Sequence, residues 1–176
     1  AWLPDGSLLF APSSRTPIRR LVEGRLDDAT ALRPGDRGHA FPAASGGSGE
    51  FTYVAFPDDG RGTVRLAGPQ GEQDLTDTGG HAQRAGAFLV YARDGVLLGA
   101  RMDAETRGTL GRSLVLSPSI GVSPEGHAMF AVSPRLLLFS DTAPRPREIA
   151  WFVAAHQPLG RIAGPGDYWQ VRLTSV

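Results

Sequence analysis

The 176-residue sequence contains no cysteine, no lysine and no asparagine. Without cysteine, neither a disulfide framework nor a thiolate metal site can form, and the compartment stays open. Without lysine, a P-loop and a kinase-type phosphate-binding lysine are both excluded. Without asparagine, backbone positions that need a positive φ fall mainly to Gly and Asp. All 18 basic residues are arginine, and 18 Asp and Glu balance them to a formal net charge of zero. That leaves no cation surplus for a polyanion, which argues against nucleic acid or an anionic membrane surface as partner. Long apolar runs are missing too. The longest, at 85–92 and 149–155, fall far short of the roughly 20 residues a bilayer span takes, so no membrane insertion is expected. No signal-peptide pattern opens the chain. Its start, Ala1-Trp2-Leu3-Pro4-Asp5-Gly6 without an initiator Met, reads as part of a longer protein.

Helical periodicity is the last absence. With 23 Gly and 14 Pro, a helical bundle or coiled coil is ruled out. The best helical window, LDDATAL at 26–32, offers one or two turns before Arg33-Pro34-Gly35 stops it.

What is present is a series of short apolar segments separated by turn residues. They include SLLFA at 7–11, PIRRLV at 17–22, FTYVAF at 51–56, TVRLA at 63–67, AFLVYA at 87–92 and VLLGARM at 96–102. HAMFAVS at 127–133, LLLFS at 136–140, EIAWFV at 148–153, PLGRI at 158–162 and YWQVRLT at 168–174 continue the series. Asp94-Gly95 predicts a tight hairpin, because both positions accept positive φ. Strands at this spacing mean a sandwich, a barrel or a propeller. Repeat length separates these. Turn-then-strand units recur at Asp5-Gly6, Asp59-Gly60, Asp94-Gly95 and Glu125-Gly126. Gly38-His39, Gly80-His81 and Gly126-His127 place histidines 42 and then 46 residues apart, close to the roughly 40–45 residues of a four-stranded blade. The expected fold is therefore all-β: a partial β-propeller of about four four-stranded antiparallel blades. The blades fall at 1–35, 36–77, 78–122 and 123–163, with an inner strand at 164–176.

These motifs resemble the TolB-like propeller family, with its S-P-D-G repeats, as found C-terminal to bacterial serine/threonine kinases and related signalling proteins. Trp2-Leu3-Pro4-Asp5-Gly6-Ser7, Gly38-His39-Ala40-Phe41-Pro42 and Tyr91-Ala92-Arg93-Asp94-Gly95-Val96 carry the likeness, with Ile149-Ala150-Trp151-Phe152 and Gly164-Pro165-Gly166-Asp167-Tyr168. The resemblance implies a segment of a six- to eight-bladed ring. Uncovered blade faces in such a segment would pack against the remaining blades or self-associate.

The chemistry-bearing residues are sparse. His39, His81, His127 and His156 are too far apart in sequence for a local chelate, and each is expected to bond a neighbouring turn. Asp58-Asp59-Gly60 and Asp74-Leu75-Thr76-Asp77 lack the spaced ligands of a calcium loop. Gly46-Gly47-Ser48-Gly49-Glu50 has Glu where a nucleophile elbow needs its last Gly. Gly164-Pro165-Gly166 has a Pro where a phosphate loop needs an N–H. No catalytic residue, metal or cofactor is thus expected. Trp and Arg dominate binding hot spots, so the expected recognition surface is Trp2, Arg15, Arg37, His39, Phe41, Arg84 and Trp169. Turns at 13–17, 43–50 and 142–147 would present it to a protein or peptide partner, or to a small ligand. The expected function is a non-catalytic sensor or interaction module of a bacterial signalling protein. An accessory propeller gating a serine peptidase is the alternative. Sugar binding would need aromatic platforms, for which Trp2 and Trp169 are the only hints.

Overall fold

The structure, a computed structural model, describes residues 1–46, 49–78, 80–123 and 126–141, together with the backbone of the strands Arg147–Val153 and Gln157–Gly166. Every regular element in it is a strand. Strands β1 (Leu8–Phe10), β2 (Arg19–Val22) and β3 (Arg25–Asp28) form an antiparallel sheet in chain order. A four-stranded meander follows: β4 (Asp36–Ala44), β5 (Phe51–Pro57), β6 (Gly62–Gly68) and β7 (Gly71–Thr78). A second comprises β8 (Ala82–Ala85), β9 (Phe88–Arg93), β10 (Val96–Met102) and β11 (Thr109–Ser117). The pair β12 (Phe130–Val132) and β13 (Leu137–Phe139) comes next, then β14 (Arg147–Val153) paired with β15 (Gln157–Gly166). The chain divides into two compact units, Ala1–Asp141 and Thr142–Val176. Residues 168–174, expected as a closing strand, lie outside the described residues, as do His156 and Trp169.

The helical window at 26–32 is not helical. Arg25–Asp28 pairs residue for residue with Arg19–Val22, because Glu23 and Gly24 both adopt positive φ (47° and 80°). Two such residues twist a hairpin in the sense its strands require. Asp94 and Gly95 (φ 54° and 74°) make the expected hairpin in the same way.

Within the first unit, the two four-stranded sheets each bury both faces. Phe51, Tyr53, Ala55 and Ala67 pack with Leu3, Leu9 and Ile18 of the preceding sheet. Val64, Leu66 and Leu75 pack with Leu89, Tyr91, Leu98 and Met102 of the following one. Val90, Ala92 and Leu97 then meet Ile120, Ala128 and Phe130. Burial on both sides explains why FTYVAF and AFLVYA are nearly continuous apolar runs, since a strand with one solvated face would alternate.

The Gly-His pairs mark close approaches between neighbouring sheets. A Cβ on Gly38 would lie 2.3 Å from the Ser14 carbonyl oxygen, and one on Gly80 would lie 2.1 Å from that of Gly126.

Candidate functional site

The histidine after Gly38 anchors a buried polar chain. His39 Nε2 lies 3.0 Å from Asp36 Oδ2 and Nδ1 lies 2.7 Å from Thr30 Oγ1. A carboxylate only accepts, so Nε2 donates to Asp36, and Nδ1 shares a hydrogen bond with the Thr30 hydroxyl. Thr30 Oγ1 in turn accepts from the Ile18 N–H at 3.0 Å. Asp36 also takes a two-pronged contact from Arg65, 2.6 Å from Nη1 and 3.0 Å from Nη2. Arg65 Nε reaches Asp74 at 2.9 Å, and Arg33 bridges Asp74 and Glu72. Burial alone would raise the Asp36 pKa. Hydrogen bonds from Arg65, His39 and the Arg33 backbone N–H, with the Arg65 charge, bring it down to about 2. The Thr30–His39–Asp36 order has the atoms of a nucleophile, a base and an orienting acid. Its hydroxyl is buried and already engaged at both ends, so the chain cross-links the connection after β3 with β4 and β6.

The next two Gly-His pairs meet each other. His81 and His127 stack with ring centroids 4.4 Å apart, and Phe130 stacks on the other side of His81 at 4.3 Å. Phe41 closes the group edge-on to His127 at 5.9 Å. A bulge places Phe41 there: Ala40 pairs with Val54 and Ala43 with Thr52, so Phe41 and Pro42 together oppose Tyr53. The bulged Phe41 carries a φ of 54°, a strained value for a bulky residue. His81 Nδ1 accepts the Ala128 N–H at 3.2 Å. Burial, then the neighbouring His127, holds the His81 pKa down to about 3. Among the described residues, no group of three or more His, Cys, Asp or Glu is placed to hold a metal ion, and no helix is long and apolar enough to cross a membrane.

The expected recognition residues do not share one surface. Trp2 is 69% exposed and bridges Leu8. Arg15 and Arg37 are exposed, and the turn bearing Arg15 packs on Gly38 beside Arg37. Phe41 lies in the aromatic group. His39 is fully buried and has no surface to offer a partner. Arg84 lies at the opposite end of the sheets from Arg37, next to the connection that follows β4.

Two grooves open at that end. One, of about 880 Å³, lies between the first two sheets and is lined by Asp5, Arg20, Arg25, Asp27 and Glu72 among others. Its carboxylates are committed: Asp5 to Arg20, Asp27 to Arg25, and Glu72 to Arg33 and Tyr53. The other, of about 820 Å³, lies among the turns that follow β4, β8, β10 and β12. Ala44, Ser45, Glu50, Arg84, Ala87, Met102, Ala104, Val132 and Pro134 line it. Here the polar groups are not all satisfied. Ser45 is 4% exposed, and its Oγ has no hydrogen-bond partner among the described residues. Glu50 sits between two arginines, 2.9 Å from Arg107 Nη2 and 3.4 Å from Arg84 Nη1.

Local chemistry aims both arginines. Asp103 Oδ1 accepts the backbone N–H groups of Glu105 (2.8 Å) and Thr106 (2.6 Å). That capped turn holds Arg107 at φ 59°. Gly68 lets Glu50 lie flat against the β6–β7 turn, since a Cβ there would fall 2.9 Å from Glu50 Cγ. Arg84 Nε donates to the Gly86 carbonyl at 3.1 Å. Ser45, Glu50 and Arg107 were not singled out from sequence. The connection at 43–50 was named as a presenting turn, but nothing in the residue order shows that Arg107 reaches Glu50.

The chain matches no family model, no curated protein and no solved structure.

Proposed function

We propose that this chain is a non-catalytic recognition module whose groove among the turns after β4, β8, β10 and β12 holds a segment of a protein or peptide partner. The sheets are read as successive blades of a β-propeller, part of a larger ring in a bacterial signalling protein of the kind the motifs resemble. Consecutive antiparallel meanders, packed face to face in chain order with both faces buried, support that reading of the fold. The observation that carries the function is the groove itself. It has small apolar walls, a partly exposed Arg84 and a buried Ser45 hydroxyl without a partner among the described residues. A ligand site combines an apolar lining with a few placed polar groups in this way.

An array of short peptides probed with the 176-residue chain tests the proposal. Ala87 is exposed in the groove wall, so Ala87→Trp should fill the groove and abolish binding to the peptides retained. Asp59→Trp, in the β5–β6 turn at the other end of the sheets, should leave binding intact. Loss of binding in both variants, or in neither, refutes the placement.

A further inference from the structure

We infer that the groove reads a glutamate side chain of its partner, received by Arg84 and Ser45. The inference rests on the recognition reading above and names the chemistry of what is recognised.

Glu50 shows how the pocket handles such a group. Its carboxylate lies 2.9 Å from Arg107 Nη2, an ion pair without hydrogen-bond geometry, and accepts a 3.4 Å hydrogen bond from Arg84 Nη1. Two guanidinium charges thus face a single carboxylate in a setting where all three side chains are largely shielded from water. Arg84, the more exposed of the two, keeps a donor in reserve. Its Nε is spent on the Gly86 carbonyl, but Nη2 has no partner among the described residues. Through Nη2, Arg84 can therefore take a second carboxylate while Nη1 stays on Glu50 and Arg107 remains its ion-pair partner. Arginine offers a planar fork of donors that suits a carboxylate, and charge-assisted bonds of this kind are stronger than neutral ones.

Ser45 supplies the second donor. The Ser45 N–H bonds the Glu50 carbonyl at 3.0 Å, which fixes Ser45 beside Glu50, while its own hydroxyl is buried and has no partner among the described residues. An unsatisfied buried hydroxyl costs stability, and turning it about χ1 into the groove to meet a carboxylate oxygen would satisfy it. The walls of Ala44, Ala85, Ala87, Ala104, Val132 and Pro134 leave room for the methylenes of a glutamate and the flanking peptide backbone.

The test uses the 176-residue chain and three capped peptides, followed by NMR at the Ser45 amide and the Arg84 Nε–H. The first is acetyl-Ala-Ala-Glu-Ala-Ala-amide, the second has Gln in place of Glu, and the third is acetyl-tetra-alanine with a free C-terminal carboxylate. The Glu peptide should shift both resonances, and the Gln peptide should bind about tenfold more weakly. Arg84→Gln should lose the same tenfold. Ser45→Ala should lose about threefold in affinity while raising the stability of the free protein, since it removes the unsatisfied hydroxyl. A purely structural serine would not combine those two effects. Equal binding of the Glu and Gln peptides, unchanged binding by Arg84→Gln, preference for the free C-terminus, or no shift at about 5 mM peptide would each overturn the inference. The array comparison of Ala87→Trp with Asp59→Trp decides the recognition reading separately, so either can fail without the other.

Discussion

Gly80 lies directly against the carbonyl of Gly126, with no room for a β-carbon between them: one built on Gly80 would sit 2.1 Å from that oxygen. The contact joins the start of the third sheet to the loop before β12, and Gly38 makes the equivalent contact with Ser14. Backbone cannot move aside as a flexible side chain can, so Gly80→Ala and Gly38→Ala should each cost about 3 kcal/mol. Gly111→Ala is the control. It has a positive φ of 66° but open space around it, and should cost about 1 kcal/mol. Urea unfolding of the three variants checks the order. Equal losses would mean that the sheets are not in close backbone contact.

His81 makes the fold sensitive to mild acid. Burial and the stacked His127 hold its pKa at about 3, against 6.5 for an unperturbed imidazole. Above pH 6.5, folded and unfolded chains both carry it neutral. Below that, the unfolded chain takes up a proton that the folded chain refuses. Stability therefore falls as pH drops from 6.5 towards 3, by up to about 1.4 kcal/mol per unit. His81→Phe keeps a ring between His127 and Phe130 and should flatten that limb of the stability profile. Unfolding free energies measured from pH 7 to pH 4 would show it, and an unchanged slope would remove His81 from the account.

Asp36 governs a second, more acidic limb. Its pKa of about 2 lies below the ordinary 3.8, so its contribution is complete above 3.8 and is lost as the pH falls to 2. Asp36→Asn leaves Arg65, whose side chain is only 9% exposed, with the half-exposed Asp74 as its one remaining carboxylate partner, and should cost about 3 kcal/mol at neutral pH. Adding Arg65→Met should recover part of the loss, because it removes a buried charge that has lost its two-pronged partner. Denaturant titration of the single and double variants distinguishes this from a simple packing defect, in which the second substitution would add to the damage.

The sequence made the strand-rich character legible because its strongest runs, at 51–56 and 87–92, belong to strands buried on both faces. Those runs also located the two central sheets. The strands it concealed had local reasons. β7 (Gly71–Thr78) is largely polar, with Leu75 as its one large apolar residue, and β4 (Asp36–Ala44) holds a Pro beside a bulge. Arg25–Asp28 looked helical because its pairing depends on a positive φ at Glu23, which residue type does not announce. For the groove, Arg84 and the connection after β4 were visible as candidates. The meeting of Glu50 with Arg107 depends on a contact between turns 57 residues apart in the chain, and no local pattern encodes it. His39 shows the opposite failure: a histidine beside arginines and aromatics in sequence points inward once Thr30 and Asp36 are in place.

Strand β11 leaves apolar surface uncovered. Leu114 and Val115 are 65% and 63% exposed, and Leu110 and Leu116 are also exposed along the outer edge of its sheet. Leu136 and Leu138, before and on β13, are exposed as well. Exposed apolar side chains on an unpaired edge invite another strand or another molecule. The purified chain should therefore associate as its concentration rises, and Val115→Glu should reduce that association. The substitution should leave stability within about 0.5 kcal/mol, because the side chain it replaces is already in water. Sedimentation velocity over a tenfold concentration range reads the effect. A wild-type chain that stays monomeric throughout would show that this edge has no affinity for its own kind.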